Sequence, residues 1–517
     1  MTGPSEQPQL DGSALQARAI AGVSWTIIGT LVSLPVVVLV NILLAHVLGV
    51  HGYGRLAYLT AALEVTFALV DIGVSAALIQ FGARAHAAGD TARVQELLSR
   101  TQGFRLLVVA PLLTVFVLVT LSVDATAMVL AVLLLVWVPT SLGGLNDCLT
   151  LENKGAAEAK LVLGVNLTGQ TAVVITALAT RSPDPTWIAR LSVGALIPIA
   201  AIFLVDPRYR KAVIRPRVPT GFPAGFWRFA LPTGLAGLVG GLVMSRSEVL
   251  LLQWLSTPTA VGVFALAIGI AGQLYAPAGA LTGPLAPALA GLHAVAPDKL
   301  PPAFLRAVRV AAVFGTLSCL LFAVPVALLM PLIYGSGFEQ AAPIMVVAAV
   351  LNAITMLSGP VSAFLYARQS GVRLAALSVA ALVVDVVLAL ALIPVWDAWG
   401  AVLALAASKL THLVLMTRLE GASLLLQPGQ VLAAARSLLV AIVAVPALWW
   451  IANLLDTPPI PTAAIACVLG VIVGLGALRP LRAGLTPGDS ATMLAHVPRA
   501  TRPVVARINR WLVHAEG

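Results

Sequence analysis

The sequence predicts an all-α integral membrane protein of about fourteen transmembrane helices, and three observations carry that prediction. Of 517 residues, 59% are hydrophobic and only 10% are charged, with a mean hydropathy of +0.98. A soluble domain carries about 25% charged residues, because its surface must face water. Apolar runs recur along the whole chain at roughly the 20-residue length that crosses a bilayer as a helix. Lys and Arg fall mainly in alternate connections between those runs, as the positive-inside rule demands. A soluble enzyme, a nucleic-acid-binding domain and a secreted disulfide scaffold are excluded as readings of the whole chain. The net charge of +10 then reflects basic cytoplasmic loops facing anionic lipid, not nucleic acid.

The runs lie near 21–46, 54–79, 104–122, 126–147, 159–179, 186–205, 227–252, 260–289, 308–333, 341–366, 374–395, 399–417, 434–454 and 462–479. An even count puts both termini on one side. With that side cytoplasmic, 26 of the 31 Lys/Arg lie inside and only Arg55, Arg181 and Arg190 outside, while Arg246 and Lys409 fall within spans. N-in and C-in follow. Trp187, Trp254, Trp396, Trp399, Trp449 and Trp450 fall near the outer ends, where an aromatic belt belongs.

Residues 1–20 form a polar cytoplasmic segment, and 21–205 carry six spans as an N-lobe. Residues 206–226 form a basic linker with Arg208, Arg210, Lys211, Arg215 and Arg217. A C-lobe of six spans occupies 227–417, two further helices 418–480, and a basic tail 481–517. Six is even, so both lobes enter the membrane in the same direction. That is the parallel repeat, with a pseudo-twofold along the membrane normal. The stretches Leu48–Ala57 and Leu255–Ala265 share a Gly-x-x-Ala step (Gly54 to Ala57, Gly262 to Ala265) that opens the next helix. In the tail, Val504, Val505, Ile508, Trp511 and Leu512 share one helical face. They describe either a short amphipathic helix on the anionic leaflet or a disordered basic tail.

Charges inside spans are costly and usually face a cavity or a partner. Glu64 and Asp71 lie two helical turns apart on one face of span two. They are candidates for proton or cation coupling, against a structural role for Asp71 as a cap. Arg246 and Glu248 in span seven stand on opposite sides of their helix, so each needs its own partner. Arg246 either holds a diphosphate through its donor fork or snorkels outward. Asp385 and Lys409, on adjacent spans, suggest an inter-helix ion pair, with Asp385 also a candidate for ion coupling. Asp147 reads as interfacial. Span eight carries Gly269, Gly272, Pro277, Gly279, Gly283, Pro284 and Pro287, and such a helix can bend to gate a transporter. Cys148, Cys319 and Cys467 read as small buried hydrophobes. No phosphate-binding loop and no zinc-type histidine spacing occurs, so no cofactor or metal is expected and ATP hydrolysis does not supply the energy.

The order of elements resembles the Wzx-type oligosaccharide-lipid flippases of the multidrug/oligosaccharidyl-lipid/polysaccharide exporter superfamily. The resemblance rests on the turn Leu48-Gly49-Val50-His51-Gly52-Tyr53-Gly54, the stretch Asp71–Ile79, Ser245–Leu251, Leu332–Phe338, and Ile393-Pro394 with Trp399-Gly400-Ala401. It covers about residues 20–480. It implies two six-helix lobes with two extra helices, and a substrate-binding role for the acidic residue two positions after the span-seven arginine, here Glu248.

The expected function is movement of a polyprenyl-diphosphate-linked oligosaccharide from the cytoplasmic to the periplasmic leaflet of a bacterial plasma membrane, by alternating access. Asn166, Thr168, Gln170, Gln273, Tyr275 and Asn352 are candidate cavity-lining residues, and the basic cytoplasmic rim would gather the anionic headgroup. Membrane lipids and a polysaccharide polymerase or glycosyltransferase are the expected partners. An ion-coupled antiporter of the multidrug and toxin extrusion type is the alternative, with the two extra helices favouring the flippase. A membrane-embedded glycosyltransferase would need catalytic residues on sizeable outer loops, and the outer loops here are short.

Overall fold

A computed structural model describes residues 12–120, 125–152, 154–242, 247–275, 297–368, 371–455, 457–478, 480–481, 483–490 and 513. The described chain is helical, with one isolated parallel bridge, Leu485 to Val513, as its only strand pairing. Ten of its helices are long and apolar enough to cross a membrane. Two of these, spanning Ile28–Asp71 and Ala375–Ser423, are 44 and 49 residues long, enough for two crossings each. Outward faces of the candidate spans are apolar: Val119, in Thr91–Val119, is 82% exposed, and Phe203, in Pro183–Leu204, 81%. Only a hydrocarbon surround makes such faces favourable, since backbone polar groups are satisfied within each helix.

Contacts divide the chain into two units, Met1–Leu48 with Ala62–Leu238, and Gly49–Ala61 with Val239–Gly517. In the first unit, α1 (Gly12–Asp71) absorbs spans one and two with a single non-helical residue, Gly49, at φ 66° and ψ 177°. Glycine tolerates that conformation because it has no Cβ. The helix ends where Ile72 (φ 50°) and Gly73 (φ 76°) both turn left-handed, and α2 (Val74–Ala87) begins at once. A β-branched residue at positive φ is a strained turn. Close packing holds it: a Cβ on Gly73 would lie 2.2 Å from the Ala230 carbonyl oxygen, and one on Gly234 would lie 2.4 Å from the Gly73 nitrogen. Glycines meeting glycines let two membrane helices touch backbone to backbone.

Next, α3 (Thr91–Phe104) starts under Asp90, whose carboxylate accepts from the Arg93 amide at 3.0 Å. The helix continues through a π-helical turn, Arg105–Val109, into α4 (Ala110–Thr120). The expected start of span three at residue 104 is therefore corrected. Polar side chains in α3 hid a helix that runs unbroken from Thr91, which leaves Arg105 in mid-helix. A second π turn, Val132–Trp137, joins α5 (Ala125–Ala131) to α6 (Val138–Leu142), with α7 (Gly144–Leu151) following. The helices α8 (Gly155–Thr180) and α9 (Pro183–Gly194) pack along each other, and α10 (Leu196–Leu204) leads into the linker helix α11 (Pro207–Ile214). The unit closes with α12 (Phe226–Gly241).

In the second unit, α13 (Ser247–Leu255) and α14 (Pro258–Gln273) meet the segment Gly49–Ala61 in a reciprocal crossing. A Cβ on Gly54 would sit 2.3 Å from the Pro258 carbonyl oxygen, and one on Gly262 2.1 Å from that of Val50. Each glycine thus rests on the carbonyl four residues before the other. Of the expected span eight, the helix α14 reaches Gln273. Its proline-rich continuation, Pro277 to Pro287, lies outside the described residues.

The central helix α15 (Leu300–Tyr334) packs against α16 (Ala341–Thr355), α17 (Ser358–Arg368), α20 (Ser437–Leu454) and α21 (Pro459–Leu478). Between these, α18 (Gly371–Ser423) bends at Asp397 (φ 47°), and α19 (Pro428–Ala435) connects. The tail folds back on the start of α15. There Asp489 accepts from Arg306 at 3.0 Å and from Arg309 at 2.6 Å. Burial pushes the Asp489 carboxyl up, but the hydrogen bonds from Arg309 and Thr486, with the Arg309 charge, hold it below the ordinary aspartate range. The amphipathic face expected at 504–512 lies outside the described residues.

Candidate functional site

Each unit buries one polar cluster among its helices. In the first, Asp71 ends α1 at the strained turn, and Ser75 sits one helical turn later on α2. The Ser75 hydroxyl donates to Asp71 Oδ1 at 2.7 Å, and Arg105 Nη2 donates to Ser75 Oγ at 2.7 Å. The same Nη2 meets Asp147 Oδ2 at 2.6 Å. Arg105 is only 6% exposed, so its pairing with Asp147 compensates a charge that lipid or protein interior would otherwise reject. One donor, Arg105 Nη1, has no partner; it faces Gly143, where a Cβ would lie 3.5 Å away. The neighbouring Gln102 amide is held by the Thr140 and Ser141 carbonyls at 2.7 and 2.9 Å.

Two expectations change here. Asp147, expected to be interfacial, is half-buried and forms an ion pair with Arg105. Arg105, counted from the sequence among the cytoplasmic basic residues at the edge of the run 104–122, lies well within the candidate span Thr91–Val119. A signal for it existed: Leu97, Thr101 and Arg105 recur every four residues, one face of a continuous helix. Glu64, two turns before Asp71, is exposed, so the structure does not bury the two acids together.

In the second unit, Ser247 and Glu248 open α13, and Asp385 and Lys409 sit on either side of the Asp397 bend in α18. Glu248 and Asp385 are fully buried, Lys409 nearly so. The Ser247 hydroxyl lies within hydrogen-bond distance of Glu248 Oε2, at 3.2 Å, and of Asp385 Oδ2. The expected Asp385–Lys409 ion pair does not form; Lys409 Nζ instead donates to Asn352 Oδ1 at 3.4 Å. The bend separates the two side chains along α18, and α16 presents the amide that the lysine reaches. Glu248 Oε1 and Asp385 Oδ1 are left without partners. Two buried carboxyls with unpartnered oxygens form an acceptor-rich site, suited to a proton or a small cation.

The remaining candidates are divided between the two units. Asn166 donates to Ser33 Oγ at 3.3 Å and accepts from Gln170 at 3.3 Å, within the first unit. Gln273 ends α14. Tyr275 is buried and its hydroxyl donates to the Ala349 carbonyl at 2.9 Å, which makes it a core anchor. Thr168 is exposed and bonds its own helix at Gly164. Arg246 lies outside the described residues. Among the described residues no cluster of three or more His, Cys, Asp or Glu side chains could hold a metal ion.

Residues 19–287, just over half of the chain, match the family model described as polysaccharide biosynthesis protein. The chain belongs to that family. No curated protein matches the sequence. Among solved structures, this polysaccharide biosynthesis protein is similar to a lipid II flippase, MurJ, in an inward closed conformation. The TM-score is 0.61 at 12% identity, covering 89% of this chain and 99% of that one. An inward-facing multidrug resistance MATE transporter gives 0.54 at 14% identity, covering 75% and 94%. A MOP superfamily transporter from Pyrococcus furiosus gives 0.53 at 14% identity, covering 83% and 100%. At these identities the likeness is one of fold.

Proposed function

We propose that this polysaccharide biosynthesis protein is a flippase. It would carry a polyprenyl-diphosphate-linked oligosaccharide from the cytoplasmic to the periplasmic leaflet of a bacterial plasma membrane by alternating access. The family match carries this reading, and a fold similar to that of a lipid II flippase over nearly the whole of that chain supports it. The physical task fits the composition: a diphosphate and sugars must pass an apolar layer about 30 Å thick. A chain with 10% charged residues leaves few fixed charges to trap them.

The acceptor-rich site of Glu248 and Asp385 is the candidate for coupling. Taking up a proton or small cation there changes the charge buried between α13 and α18. A change of that kind biases one packing of two helices over another. Arg246, which directly precedes Ser247 in sequence, is the candidate contact to the diphosphate. A polysaccharide polymerase or glycosyltransferase would work beside it.

An ion-coupled antiporter is the second reading, favoured by the same carboxyl pair and by the fold similarity to MATE transporters. The purified protein in sealed vesicles decides between them. A labelled polyprenyl-diphosphate oligosaccharide should reach the opposite leaflet faster than in protein-free vesicles. If it does not, while a small organic cation is exchanged for an ion, the antiporter reading replaces this one.

A further inference from the structure

The linker helix α11 and helix α3 flank an open cleft of about 970 Å³, at the upper end of the roughly 300–1,000 Å³ typical of ligand sites. Its walls carry Arg93 and Arg100 from α3, and Arg208, Lys211, Arg215 and Arg217 from the linker, against only Asp90 and Glu96. Both acids are already engaged: Asp90 caps α3, and Glu96 pairs with Arg100 at 2.5 Å. Arg208 pairs with Asp206 at 3.3 Å, and hydrogen bonds from the Arg208 backbone and side chain hold that carboxyl below its ordinary range. Arg93, Lys211, Arg215 and Arg217 have no carboxylate within ion-pair distance among the described residues. Like charges brought together at one cleft repel unless something answers them, and their summed field concentrates anions.

The walls are built rather than draped. Tyr209, Ala212 and Val213 bury the apolar face of α11, and the Tyr209 hydroxyl meets His86 Nδ1 at 2.7 Å. Gln95 donates to the Arg208 carbonyl at 3.2 Å, and the Arg217 amide donates to the Ser99 carbonyl at 2.9 Å. The Arg217 carbonyl lies so close to α3 that a Cβ on Gly103 would fall 1.7 Å from it. Gly221, at φ +68°, turns the strand of chain back, and Phe222 stacks on the buried Phe226 at 4.3 Å to pin its far end. Cations on such a strap are held near their working positions before any ligand arrives, which lowers the cost of binding.

We infer that this cleft between α3 and the linker binds a diphosphate. Lys211, in the last turn of α11, and Arg215, its cap, line the same wall, and a diphosphate, more highly charged than an orthophosphate at neutral pH, answers more of these unpaired cations. Arg93 faces them from α3, and arginine forks match phosphate oxygens in pairs. The remaining volume leaves room for the group attached beyond. Diphosphate chemistry follows from the cleft alone. Its source as the end group of a carrier lipid rests on the flippase reading; a soluble nucleoside diphosphate is the other source.

Isothermal titration of the full-length protein in detergent with inorganic pyrophosphate tests the inference. Pyrophosphate should bind at least tenfold more tightly than orthophosphate, and weaken as salt rises from 50 to 500 mM. The double variant Lys211→Ala/Arg215→Ala, on exposed side chains, should lose at least tenfold, and Lys211→Arg/Arg215→Lys should stay within about threefold. Equal binding of pyrophosphate and orthophosphate, or an unaffected double variant that elutes and melts like the parent, overturns the site. Displacement of pyrophosphate by a polyprenyl diphosphate names the lipid as source, and displacement by uridine diphosphate alone names the soluble one. Displacement by neither overturns the site. A protein that binds pyrophosphate through these cations yet moves no labelled glycan keeps this site and loses the flippase reading. One that moves glycan without binding pyrophosphate does the reverse.

Discussion

The two buried clusters are both charged, and they differ in what they leave unsatisfied. Around Arg105 the acids are served: Asp71 by Ser75, Asp147 by the guanidinium, and the atoms left over, Arg105 Nη1 and the Gln102 amide oxygen, are not carboxyl oxygens. Around Glu248 and Asp385 the leftover atoms are both carboxyl oxygens, while the nearby cation, Lys409, has turned to the Asn352 amide. An arginine cannot shed its proton in a protein, and both acids beside it are hydrogen-bonded, so the first cluster acts as a lock on α1, α2, α3 and α7. A carboxyl pair can gain a proton or a cation, so the second cluster can be loaded. Buried charge alone therefore does not mark a candidate coupling site; the kind of group left over distinguishes the two clusters.

The largest expected effect tests the lock. Arg105→Ala leaves Asp147 without its cation, which costs about 3–5 kcal/mol when a buried pair is broken. The expected outcome is loss of monodisperse protein in detergent, with recovery in the double variant Arg105→Met/Asp147→Leu. A well-folded Arg105→Ala protein would end the distinction between the clusters.

A smaller effect on folding, and a larger one on function, is expected in the second unit. Asp385→Asn and Glu248→Gln should melt within about 1–2 kcal/mol of the parent, because the amide keeps the shape and removes an unpartnered buried charge. Their transport should lose its response to an imposed proton or sodium gradient. Transport that still follows the gradient in both variants would move coupling elsewhere, with Asp71 and Glu64 next to be tried.

Lys409→Met sharpens the same contrast. Since its amine bonds an amide and not an acid, its removal should cost about 1 kcal/mol, well below Arg105→Ala, as read from the shift in thermal midpoint. A loss as large as that of Arg105→Ala would show that Lys409 neutralises the acids at a distance.

The smallest effect concerns the tail, where two arginines meet an acid near water. Asp489→Asn should cost about 1 kcal/mol or less at neutral pH, since the Arg306 side chain is 46% exposed and solvent screens such pairs. The Asp489 carboxyl is held below its ordinary value. Its contribution is therefore complete above an unperturbed pKa near 3.9 and is lost as pH falls through the lower folded value. Limited proteolysis of the tail from pH 7 to pH 3 reads this: cleavage should stay flat to about pH 4 and rise below it in the parent. In Asp489→Asn it should be raised already at pH 7.

Much of the architecture follows from the sequence, because hydropathy adds residue by residue and needs no knowledge of neighbours. Fifty-nine per cent apolar composition and recurrent helix-length runs dictate an all-helical membrane protein. Gly49 marks where two spans join without a loop, since only glycine takes that backbone cheaply. The same reading placed Asp385, Glu248 and Asp71 inside spans, where an ionisable group needs a reason. What it could not give was partners. Arg105 meets Asp147 across 42 residues and Ser247 meets Asp385 across 138, while Lys409 passes over Asp385 for Asn352. A one-dimensional pattern says that a buried charge must be answered, and the crossing of helices at Gly73–Gly234 and Gly54–Gly262 settles what stands near enough to answer it. The basic cleft beside α3 is of the same kind. Its cations were legible as a basic linker, but only the strap of Arg217 and Gly221 against α3 turned a charged loop into a walled site, because electrostatic and hydrogen-bond energies depend on distance and direction that composition does not carry.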